Sequence, residues 1–212
     1  FGCIDRYGQG KYDLLMGGYG SRPQLLRFTQ TRSQDVSQYW AKDFATESGL
    51  TDSDRSMTES FVVAPLSSSG RSDIFFTNDK STNKLMENFG NGRYLDQTKM
   101  YSKTWSTNMS EFDLSGTPND AKDVRVFDEN GDGLLDILYV NWDDNMTLCR
   151  TSTNSALKLY RQGPKGQFSF VQDSSLASLT ASARPKNIII ADLVSFNPFI
   201  YVLSLSFLNV EI

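Results

Sequence analysis

An aspartate followed by a short apolar run recurs at Asp13, Asp73 and Asp136, in steps of 60 and 63 residues. Each closes a loop that carries a glycine three positions earlier, at Gly10, Gly70 and Gly133. The runs behind them are Leu14-Leu-Met16, Ile74-Phe-Phe76 and Ile137-Leu-Tyr-Val140, which read as strands bounded by turns. A second element follows. Asn83 to Thr98 reads as a strand, a turn built on Gly90 and Gly92, and another strand; its counterpart runs from Leu157 through Gly163 and Gly166 to Phe168. The first unit offers Gln24 to Phe28, then a longer excursion to Phe44–Leu50. Each unit thus supplies about four short strands. One such sheet cannot bury both of its faces, so the units must stack, and arranging them around an axis does that.

The third loop is the best formed. Asp128, Asn130, Asp132 and Asp136 stand at its positions 1, 3, 5 and 9, with Gly133 at position 6 where the chain must turn back. Three carboxylates, one amide oxygen and the main-chain carbonyl near Leu134 suit a hard cation that takes six to eight oxygens, which is calcium. An EF-hand would place a glutamate at position 12, and Tyr139 stands there. The flanks Val124–Phe127 and Ile137–Val140 are strand-like, so the loop joins two strands. A sparser version, Asp5, Gln9 and Asp13, is a second candidate for an ion. The loop before Asp73 has lost its other carboxylates; that residue is expected to accept main-chain hydrogen bonds within its turn.

The Asp-x-Asn-x-Asp-Gly-x-x-Asp loop at 128–136 and the Asn-x-Leu-x-x-Asn-x-Gly-x-Gly-x-Tyr segment at 83–94 resemble the FG-GAP/VCBS repeats of β-propellers. The flavour is that of ASPIC/UnbV and cartilage-acidic-protein-like members, over about residues 1 to 192. The resemblance implies an all-β fold, a partial β-propeller of about three four-stranded blades with a calcium-loop hairpin. The blades fall at about 1–60, 61–120 and 121–186. Three blades do not close a ring, so the chain reads as a fragment or mature segment, and Phe1 heads no signal sequence.

After Asn187-Ile-Ile-Ile-Ala-Asp192 a fourth ion loop should open. Instead the sequence continues as an apolar tail, 193–212, read as a divergent or truncated strand region. Its uninterrupted apolar core, Phe199–Leu208, is too short to span a bilayer. The third unit also carries an insertion with Asp143, Asp144, Asn145 and Cys149, a candidate binding loop or simple length drift.

Composition removes whole classes of chemistry. There is no histidine, which excludes Ser-His-Asp and Cys-His catalysis and every imidazole metal site. With 21 basic and 25 acidic residues there is no electrostatic pull toward nucleic acid. Cys3 and Cys149 either form one disulfide or are buried thiols. Asn108-Met-Ser110 and Asn145-Met-Thr147 are glycosylation sequons. Gly17-Gly-Tyr-Gly20 lacks the lysine and helix of a phosphate loop and reads as a turn. Trp40, Trp105 and Trp142 read as packing between blades.

The expectation from all of this is a calcium-stabilised, non-catalytic adhesion or matrix-type module, secreted or at the cell surface. Its partner would be an extracellular protein or a glycan. Two rivals stand beside it. A carbohydrate-binding propeller would need tryptophans exposed in a pocket beside polar groups. A carboxylate-dependent glycan-acting enzyme would need an unliganded acidic pair in a concave site.

Overall fold

The computed structural model describes residues 1–32, 37–51, 57–79, 81–101, 120–142, 157–171, 187–192 and 200–202. The fold is all-β, a partial propeller of three four-stranded antiparallel sheets, each strand pairing with the next in sequence. The first sheet holds β1 (Gly2–Ile4), β2 (Asp13–Met16), β3 (Gln24–Arg32) and β4 (Ser37–Asp43). The second holds β5 (Met57–Ala64), β6 (Asp73–Asp79), β7 (Lys84–Asn88) and β8 (Tyr94–Asp96), followed by one helical turn, α1 (Thr98–Tyr101). The third holds β9 (Asp120–Phe127), β10 (Asp136–Trp142), β11 (Leu157–Gln162) and β12 (Phe168–Phe170). A hairpin of β13 (Ile190–Asp192) and β14 (Ile200–Val202) follows. The excursion expected in the first unit is therefore a long β3–β4 hairpin.

The second strand of each unit explains why the sheets stack. All seven residues of β6 are buried, because both of its faces are covered. Ile74 and Phe76 pack with Ile4, Leu15 and Leu25 of the first sheet. Phe75, pointing the other way, packs with Val124, Ile137 and Tyr139 of the third. The same alternation repeats along the array. Ile137 faces the second sheet, while Leu138 joins Ile188 of the final hairpin in a separate cluster. Aromatic rings fill the junction of the second and third sheets. Phe75 lies 6.2 Å from Tyr139, which stacks on Tyr160 at 5.7 Å.

Repeats stacked in parallel bring equivalent residues together, and three polar contacts show it. Tyr19 donates to Asp79, 60 positions on. Lys122 pairs with Glu59 at 3.0 Å, and Ser60 donates to Asp123, both across 63 positions. Glu59 and Lys122 are also the residues skipped where β5 and β9 slip register against their partners. A bulge at the same point of two repeats turns both side chains out of the ladder, and there they meet. Asp123 reaches further and accepts the Ile188 N–H with its second oxygen.

The hairpin turn of one sheet leans on the first loop of the sheet before it. Gly92 has φ 78°, and a Cβ there would lie 2.6 Å from the Tyr7 ring. Gly166, φ 77°, stands in the same relation to Tyr101 and Ser68. Substituting Gly92→Ala is expected to cost about 1–2 kcal/mol, from the left-handed backbone it must keep. Urea unfolding should report this as a lower midpoint with an unchanged m-value.

Candidate metal centre

The three position-9 aspartates are buried almost completely, Asp13 at 1% exposure and Asp73 and Asp136 at 0%. Their surroundings share a plan. Asp136 accepts the Glu129 N–H, seven residues earlier, with one oxygen, and the Gln162 N–H at the end of β11 with the other, both at 2.8 Å. Asp73 accepts Leu66 and Ser67 N–H groups with one oxygen and the Asn88 N–H, at the end of β7, with the other. Each carboxylate therefore ties the start of its loop to the third strand of its sheet. Main-chain acceptance was the expectation at Asp73, and these three bonds supply it.

The first sheet keeps the plan and changes the donors. Asp13 meets the guanidinium of Arg6, again seven residues earlier, and that of Arg27 on β3 at 2.7 and 3.0 Å. Arg6 is 2% exposed, donates also to Ser48, and lies over the Phe44 ring at 4.6 Å. Of the sparser ion candidate at Asp5, Gln9 and Asp13, the aspartate at position 9 already receives positive charge from two arginines. Asp5 instead accepts the N–H groups of Tyr7 and Gly10, and Gln9 is exposed. Sequence reading missed Arg6 and Arg27, although an arginine seven residues before a buried aspartate was there to be seen.

In the third loop Asp128 is half-buried, while Asn130 and Asp132 are exposed. Asp128 gathers the N–H groups of Gly131, Asp132 and Gly133 at 2.7 to 3.0 Å. Gly133 takes φ 84°, the left-handed turn that its position demands. Asp132 accepts the Leu134 N–H and the Asn130 amide nitrogen at 2.8 and 2.9 Å, so Leu134 sits at the loop's inner turn. The amide of Asn130 holds the Asp132 carboxyl below its usual range, with the Leu134 N–H adding to it. Burial pushes the Asp136 carboxyl up against the pull of its two N–H donors, and the negative charges of Asp132 and Glu129 push the same way. Glu129 is itself paired with Arg161.

Among the described residues no three Asp, Glu, Cys or His side chains are gathered into a ready-made metal cluster. The loop nevertheless fits a hard cation chemically. Its donors are all oxygens, and a carboxylate oxygen that accepts one N–H keeps a second lone pair. The Asn130 amide oxygen accepts the Asp132 N–H at 3.1 Å, so that oxygen and the carboxylates of Asp128, Asp132 and Asp136 are the groups that would hold an ion. Asp136 is walled in more tightly than the other three donors, as the central residue of the hairpin clip.

Elsewhere, Cys3 is exposed on β1 and Cys149 lies outside the described residues. Asn108, Asn145, Trp105 and the tail apart from Ile200–Val202 also lie outside them, as does the side chain of Trp142. Trp40 corrects the packing expectation, because 61% of it is exposed on the outer strand β4. Gly17 to Gly20 form the turn between β2 and β3, as expected. Among the described residues, cavities of about 220, 240 and 430 Å³ line the sheets. Each has a single carboxylate, Asp96 or Glu59, so none holds an acidic pair. Among the described residues no helix is long and apolar enough to cross a membrane.

No family model matches the chain. Over 146 residues, 66% of its length, it is 29% identical to cartilage acidic protein 1 of Mus musculus. The chain is a distant relative of that protein. Cartilage acidic protein 1 of Homo sapiens matches at 28% and that of Xenopus tropicalis at 29% over the same length. The match spans only about a fifth of cartilage acidic protein 1, 20 to 21% in the three species.

Proposed function

We propose that this chain is a calcium-stabilised, non-catalytic interaction module of the adhesion or matrix type, acting outside the cell on a protein or glycan partner. The observation that carries the reading is the loop of Asp128, Asn130, Asp132 and Asp136, whose oxygen donors suit calcium at a hairpin that joins β9 to the buried strand β10. Likeness to cartilage acidic protein 1 supports the extracellular setting, and the sequons at Asn108 and Asn145 accord with it. Calcium bound by Asp128, Asn130, Asp132, the Leu134 carbonyl and Asp136 would relieve repulsion among the carboxylates and hold the β9–β10 turn in register. The three sheets are one unit, with repeats at about 1–60, 61–120 and 121–186, and 193–212 is its divergent end.

A thermal melt with millimolar calcium and with EDTA tests this. For an extracellular-type site with a dissociation constant of about 10⁻⁴ to 10⁻³ M, calcium should raise the melting temperature by about 1–6 °C. Asp132→Ala should abolish the rise while leaving the EDTA melt nearly unchanged, since Asp132 is exposed. A cooperative melt indifferent to calcium would remove the ion from the reading.

One observation favours the glycan partner as a second reading. Trp40 exposes its ring on an outer strand, where a sugar face can stack. Trp40→Ala should then abolish retention on a glycan array without altering the melting temperature. Retention equal to that of the parent chain would assign Trp40 no such role.

A further inference from the structure

Two places beside each position-9 aspartate change charge from sheet to sheet. On the third strand, Arg27 follows Leu26, the partner of Leu14; Glu87 follows Met86, the partner of Ile74; and Arg161 follows Tyr160, the partner of Ile137. Seven residues before the aspartates stand Arg6, Leu66 and Glu129. Both places adjoin the buried carboxylate. In the first sheet their side chains reach Asp13, and in the third Glu129 gives Asp136 its N–H.

The arginine on the third strand has two different occupations. Arg27 has no carboxylate at the earlier place to meet, and its guanidinium turns onto Asp13, donating to both oxygens at 2.7 and 3.0 Å. Arg161 stands at the same place in the third sheet, yet Glu129 takes its guanidinium, accepting Nε at 3.0 Å and a terminal nitrogen on the same oxygen. The Asp136 oxygens are left to the Glu129 and Gln162 N–H groups. Arg161 still lies in the field of the loop. Its hydrogen bond to Glu129 raises the guanidinium above its ordinary value, and the charges of Asp136 and Asp132 add to this.

On the calcium reading of the loop at Asp128–Asp136, we propose that Arg161 is a competitor for the cation built into the third sheet, and that Glu129 holds it aside so that the loop can bind calcium. A guanidinium and a calcium ion contest the same carboxylates, because each brings positive charge and each takes the same lone pairs. Glu129 decides the contest. Its main-chain N–H braces Asp136 while its carboxylate keeps the fork of Arg161 occupied. The side chains of Arg161 and Glu129 are 40% and 24% exposed, so the pair can be altered without opening the core.

Calorimetric calcium titrations of the parent chain, Arg161→Gln, Glu129→Gln and the double variant, at low and high salt, test the proposal. Arg161→Gln should bind calcium about 3- to 10-fold more tightly at low salt, the effect of removing one nearby positive charge, and the gain should shrink at high salt. Glu129→Gln should weaken binding about 10-fold or more, because the freed guanidinium turns onto the loop as Arg27 turns onto Asp13. The double variant should not show that loss, having no guanidinium to turn. Melts in EDTA should be nearly the same for all four proteins, which separates competition for the ion from damage to the fold. Equal losses from Glu129→Gln with and without Arg161 would overturn the proposal, since Glu129 would then act through its own charge alone. An Arg161→Gln affinity equal to the parent's or weaker would overturn it too. If neither the parent nor any variant binds calcium, the calcium reading itself falls and the competitor with it, an outcome distinct from the two in which the parent binds.

Discussion

Replacing Asp13 with asparagine is expected to lower folding stability by about 3–5 kcal/mol, because it strands the charge of a buried arginine. Arg6 is 2% exposed and Asp13 is its charge partner; Ser48 accepts a hydrogen bond from it but carries no charge. Arg27 is less vulnerable, with a third of its side chain reaching solvent. For a chain of this size the loss should appear as a melting temperature lower by about 6–20 °C. A double substitution separates the charge from the architecture. Arg6→Met with Asp13→Leu removes both buried charges and keeps apolar volume, so it should recover most of the loss. If the single and double variants melt alike, the cost lies in the shape of the site and the ion pair is not its source.

Asp73→Asn is the second large effect, expected at about 2–4 kcal/mol. The carboxylate accepts three main-chain N–H groups with two oxygens. An amide offers one oxygen, and its nitrogen then faces an N–H, leaving two buried donors without acceptors at roughly 1–3 kcal/mol each. The pH dependence adds a sign. Burial raises the Asp73 carboxyl above its ordinary range, against the pull of the N–H groups. The folded state therefore holds this proton more tightly than the unfolded state does. The contribution of Asp73 to stability is complete below the ordinary carboxylate range and is lost as pH rises through the raised value. The asparagine variant lacks that titration, so its deficit against the parent should widen on acidification. Urea midpoints at neutral and mildly acidic pH measure it. A deficit that narrows on acidification would contradict the assignment.

These two aspartates show how far the sequence could be read. Spacing located Asp13, Asp73 and Asp136 as one repeated position and placed a strand behind each. It also placed the turns at Gly90 and Gly92 and at Gly163 and Gly166, where Gly90, Gly92 and Gly166 take backbone that side chains disfavour. What spacing could not give was the identity of the donors. A loop with an acid at position 9 reads alike whether the acid meets a cation, two guanidiniums or three amides. In the first sheet the donors include Arg27, fourteen residues away and on another strand. Trp40 failed for a similar reason. Aromatic character alone does not say which strands sit at the outer edge, and β4 does.

The sequence by itself determined the period, the strand order within each unit, the exclusion of histidine chemistry and one loop rich in hard oxygen donors. These are local properties, set by residue type and spacing along the chain. Only the tertiary structure decided which face of each strand meets which neighbour. It alone brought Glu59 to Lys122 and Ser60 to Asp123 across 63 residues. The reason is physical: burial and pairing are fixed by what stacks against a sheet, and no single repeat contains its own neighbour.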